Sequence, residues 1–70
     1  MTQGVLNIYQ DKIYIINDTK RVPLQSGQYV YLIVQDCRIP VIVCHSAETG
    51  KWCFRNLEGI EINGQEAAVI

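Results

Sequence analysis

Two stretches of this 70-residue chain, residues 29–34 and 39–44, are apolar at every position. Val30, Leu32 and Val34 alternate with Tyr29, Tyr31 and Ile33, and Ile39, Val41 and Val43 alternate with Pro40, Ile42 and Cys44. Neighbours along a strand point to opposite faces, so each stretch offers two apolar faces. A domain of this size buries only about 60% of the surface its unfolded chain exposes. That leaves room for one buried face per strand. Any fold built from these stretches must bury one face and account for the other.

The rest of the chain has the same bias. Val and Ile number 17 against 7 for Ala and Leu, and with three Thr and six aromatic residues, 26 of 70 positions suit a pleated surface. No window sustains a 3.6-residue period. The class is all-β. Strands are expected at residues 5–9, 12–16, 29–35, 38–45 and 51–55, with a short edge at 21–24 where Pro23 bars a central position. Residues 60–62 are expected to meet 66–70 across Asn63-Gly64, a strong hairpin dipeptide. Turn chemistry at Gln10-Asp11, Asn17–Lys20 and Asp36-Cys37 separates the others. Five to seven short strands in one domain predict a small SH3-like barrel or a strongly bent antiparallel sheet. The core is expected from Leu6, Ile8, Ile13, Ile15, Val30, Leu32, Val34, Val41, Val43, Phe54 and Ile62.

Leu24, Ser26, Gly27 and Val30 are spaced like the diverging turn of SH3-like barrels. Gly4-Val5-Leu6, then Leu24, Gly27 and Val30, then Gly50-Lys51-Trp52 with Phe54, then Ile62, Gly64 and Val69-Ile70 form a wider pattern. Over nearly the whole chain it resembles a family of very short uncharacterised barrel-like proteins encoded on conjugative elements and phages of Gram-positive bacteria. The resemblance implies a small β fold and a mobile-element origin. It carries over no catalytic residue.

The residues that could do chemistry are few. His45 is the only histidine, and a His–Cys nucleophile needs it beside Cys44. If Ser46 faces Lys51, His45 lies opposite Trp52 and Cys44 opposite Cys53, so His45 and Cys44 diverge. A histidine against Trp52 is the expected outcome. Cys44 and Cys53 then share a face; a disulfide can form there in air but is not expected in a reducing cytosol. Cys37 does not complete a C-x-x-C pair, so the three cysteines read as small hydrophobes and no metal or other cofactor is expected. Asp11, Asp18, Asp36, Glu48, Glu58, Glu61 and Glu66 fall at turns or on exposed faces, without the shared dry cleft that acid–base work needs. No catalysis is expected.

Six Lys+Arg against seven Asp+Glu give a net charge of −1, a poor balance for binding nucleic acid through bulk electrostatics. Lys20-Arg21, Arg38, Lys51 and Arg55 are not clustered in sequence with the four tyrosines that might stack bases. Residues 1–5 carry no basic and apolar leader pattern. The longest apolar run is far below the ~20 residues that span a bilayer. A cytoplasmic protein without a membrane is expected. The second apolar face, carrying Tyr29, Tyr31, Ile33, Ile42 and Cys44, is then expected to be a contact surface for a protein partner or for a second copy in a homodimer. The competing arrangement folds residues 5–16 over that face within one chain. The leading function is a non-enzymatic protein-binding module, such as a phage or mobile-element inhibitor of a host defence protein. The alternatives are a nucleic-acid-associated accessory protein and a dimer that sequesters a small nucleotide.

Overall fold

The structure is a computed structural model that describes residues 1–57 and 59–70. Glu58, one of the turn carboxylates, lies outside the described residues. The described residues form seven strands: β1 Thr2–Tyr9, β2 Lys12–Ile16, β3 Arg21–Pro23, β4 Tyr29–Val34, β5 Cys37–His45, β6 Trp52–Phe54 and β7 Glu66–Val69. They join antiparallel in the order β3-β2-β1-β7-β4-β5-β6. The result is the strongly bent sheet and not a closed barrel.

Two hairpins turn on the same dipeptide. Tyr9 pairs with Lys12 around Gln10-Asp11, and Val34 with Cys37 around Gln35-Asp36. All four turn residues have positive φ, between 48° and 66°. This is the φ signature of a type I′ turn, whose twist matches the flanking strands. The second turn therefore comes one residue earlier than the expected Asp36-Cys37.

The expected hairpin across Asn63-Gly64 does not form, because residues 60–62 are not a strand. β1 takes hold of this segment instead. Gly64 N–H donates to the Leu6 carbonyl at 3.0 Å, Leu6 N–H to the Gln65 carbonyl at 2.9 Å, and Ile8 N–H to Asn63 Oδ1 at 2.7 Å. Asn63 thus satisfies a strand edge with its side chain. The chain then enters β7, between β1 and β4, where Ala67 and Ala68 are wholly buried.

The ends of the bent sheet are tied by contacts outside the ladders. Leu24 N–H donates to the Ile13 carbonyl at 2.9 Å, while Gly27 N–H donates to the Val43 carbonyl at 2.7 Å. Residues 24–28 thereby strap β2 to β5. Leu6, Ile13, Ile15, Val30, Leu32, Val41, Val43, Phe54 and Ile62 are buried inside the bend, as expected. Leu24, Ala67 and Val69 join them. Two expected core positions differ: Ile8 is only partly buried, and Val34 is 44% exposed. Val34 keeps the core-facing parity but sits at a hairpin tip, opposite exposed Cys37, beyond the reach of the other wall.

Candidate functional site

Bending the sheet gives the β4–β5 pair an inner and an outer side. On the outer side Tyr29 faces Ile42, Tyr31 faces Pro40, and Ile33 faces Arg38. Cys44 faces Cys53 one step further along β5. Directly paired residues share a face, so Tyr29, Tyr31, Ile33, Ile42 and Cys44 are brought onto one surface. Tyr29 is 64% exposed, and the other four are half-buried.

The hairpin β1–β2 does not cover this surface. It continues the same sheet beyond β7 and turns Leu6, Ile13 and Ile15 into the core. The competing arrangement, with residues 5–16 folded over the tyrosine face, is not the one adopted. Ala68 lies between Gln3 and Tyr31 in the register and is fully buried there. A larger residue would lift this part of the face, so the alanine keeps it low.

Pro40 shares the alternation of Ile42 and Cys44, but other residues of this surface were not legible from the strand pattern alone. Pro40, Ile70 and Leu57 line shallow grooves on either side of Tyr29, and Ile70 is 94% exposed. Arg38 follows from the register. Arg55, which donates its backbone N–H to the Ile42 carbonyl at 2.8 Å, lines the groove beside Tyr29. Glu66 lies on the same side, opposite Val5. The fold thus collects two arginines and two tyrosines that are scattered in sequence. A third arginine, Arg21, is set apart, its guanidinium 4.7 Å from the centre of the Tyr14 ring.

His45 lies opposite Trp52 as expected, with ring centres 5.1 Å apart and an edge-on angle of 61°. Its Nε2 is 3.2 Å from the Gly50 carbonyl. Ser46 N–H donates to the Lys51 carbonyl at 2.8 Å, which fixes the register on which the divergence of His45 and Cys44 depends. Among the described residues no three His, Cys, Asp or Glu side chains gather into a metal-sized group. No helix is long and apolar enough to cross a membrane among them.

A groove of about 580 Å³ runs between Asp11, Lys51, Trp52 and the segment from Gly59 to Asn63. Its walls are largely exposed residues, so it is an open surface feature and not a dry cavity. Comparison with known proteins finds no family model, no curated protein and no solved structure that matches this chain.

Proposed function

We propose that this protein is a non-enzymatic protein-binding module whose outer β4–β5 face docks against a second copy of itself. The observation that carries the reading is Tyr29, 64% exposed at the start of β4 opposite Ile42. Tyrosine is a favoured anchor where a contact is apolar at its body and wet at its tip. Arg38 and Arg55 at the rim are opposite in charge to Glu66 across β7, so a two-fold arrangement can set one copy's arginines against the other's glutamate. Light scattering at micromolar concentration tests the reading, with a dimeric mass expected. A role as an inhibitor of a host defence protein rests on the mobile-element resemblance alone.

One observation favours a second reading. Tyr29 and Tyr31 with Arg38 and Arg55 on one face also make a platform on which bases can stack beside a backbone phosphate. Binding to a labelled single-stranded oligonucleotide, falling steeply with salt, would favour that nucleic-acid role. An apolar protein interface changes little with salt.

A further inference from the structure

The Sγ atoms of Cys44 and Cys53 lie 3.2 Å apart, side by side across β5 and β6. The neighbouring bonds show which kind of pair this is. Ser46 N–H reaches the Lys51 carbonyl and Arg55 N–H reaches the Ile42 carbonyl, each at 2.8 Å. Every second pair in an antiparallel ladder is bonded, so Cys44 and Cys53 occupy the bonded position between those two. Cα atoms in such pairs are about 5.5 Å apart, inside the roughly 4.4–6.8 Å range that disulfides span. Both side chains are half-buried in the single chain, so a small oxidant has access to them in the undocked protein.

We propose that Cys44 and Cys53 form a dithiol oxidation site, which a hydroperoxide converts into an intramolecular disulfide. In the first step one thiolate attacks the peroxide oxygen; the O–O bond breaks, the sulfur becomes a sulfenic acid, and water or an alcohol leaves. In the second step the other thiolate attacks that sulfur, the S–S bond forms, and the sulfenic oxygen leaves as water. The pair loses two electrons and two protons, and one peroxide is reduced. The register holds the two sulfurs together beforehand, so the second step is intramolecular and fast. The sulfurs must close to about 2.05 Å, a movement that three-residue β6 can make at the sheet edge. The disulfide then staples β6, and Trp52 with it, to β5.

Cys37 serves as an internal control. It is exposed at the far end of β5, seven residues from Cys44 and therefore roughly 23 Å away along the strand. It cannot join the pair within one chain. The test is to treat the purified protein with one equivalent of hydrogen peroxide, add N-ethylmaleimide, and measure intact mass and the labelled peptides. The reduced protein is expected to take three maleimides. The oxidised protein takes one, on Cys37, and dithiothreitol restores all three. In Cys53→Ser, dimedone is expected to trap a sulfenic acid on Cys44 that persists after peroxide. Cys53→Ala serves if that variant does not fold. Three maleimides after peroxide, sulfinic acids on Cys44 and Cys53 without a cross-link, or cross-linking through Cys37 between chains alone would each overturn the proposal.

Discussion

The indole N–H of Trp52 donates a 2.9 Å hydrogen bond to the backbone carbonyl of Asp11. Asp11 belongs to the turn between β1 and β2, whereas Trp52 opens β6 at the far edge of the sheet. The bond spans 41 residues of sequence and holds the sheet in its bend where no strand ladder does so. Trp52→Phe removes the donor and keeps an aromatic ring for His45. A lost hydrogen bond costs about 0.5–1.5 kcal/mol, so the unfolding free energy should fall by that much and the urea midpoint with it. An unchanged midpoint would mean that the strap of residues 24–28 suffices for closure.

Gly4 is needed for close approach and not for an unusual φ. A Cβ placed there would run into the backbone carbonyl of Ile16, where β1 bends past the end of β2. Backbone cannot swing aside as a flexible side chain can. Gly4→Ala is expected to cost about 1–3 kcal/mol, the range for forced overpacking. Gly59→Ala is the matched control: its Cβ would meet open space at an ordinary φ, so its thermal midpoint should barely move.

The two Gln-Asp turns hold non-glycine residues at positive φ, which carries a local conformational cost. Replacing Asp36 (φ 66°) with glycine relieves it. The flexible glycine also raises the entropy of the unfolded chain, which offsets part of the gain. A net stabilisation of up to about 1 kcal/mol is expected in chemical denaturation. Destabilisation instead would show that the Asp36 side chain contributes more to the turn than its backbone strain removes.

Val30 and Val43 are wholly buried. Either one changed to Ala should cost about 1–3 kcal/mol through lost burial and a residual cavity. Val34→Ala, at a hairpin tip and 44% exposed, should fall within about 0.5 kcal/mol of the parent. Equal losses at Val30 and Val34 would contradict the assignment of the bend.

Strand parity was legible because Val30, Leu32 and Val34 in β4 and Ile39, Val41 and Val43 in β5 make the more uniformly aliphatic face of each strand, and burial of one face follows from domain size. Two things were not. Asn63-Gly64 looks like a hairpin dipeptide, yet its partner is β1: Asn63 Oδ1 caps Ile8 N–H, a contact across 55 residues that no local pattern encodes. Ala67 and Ala68 give almost no hydrophobic signal, yet both are wholly buried in the strand between β1 and β4. The candidate face divided in the same way. Its tyrosines followed from alternation, and Arg38 shares the parity of Pro40, Ile42 and Cys44, whereas Leu57 and Ile70 joined them only through the fold.

The docking reading leads to a specific outcome for Tyr31. This residue is half-buried, opposite Pro40 on one side and Ala68 on the other, so its ring occupies the low centre of the outer face. A carboxylate there would meet its own image in a two-fold dimer, and desolvating two like charges is strongly unfavourable. Within one chain the same carboxylate can still turn towards water, because Tyr31 is only half-buried there. Tyr31→Asp should therefore convert a dimer to a monomer in light scattering while leaving the circular dichroism spectrum unchanged. Tyr29→Ala should weaken dimerisation without abolishing the fold, since the 64%-exposed ring adds little to the core. A parent protein that stays monomeric at every accessible concentration would remove the second copy as the occupant of this face.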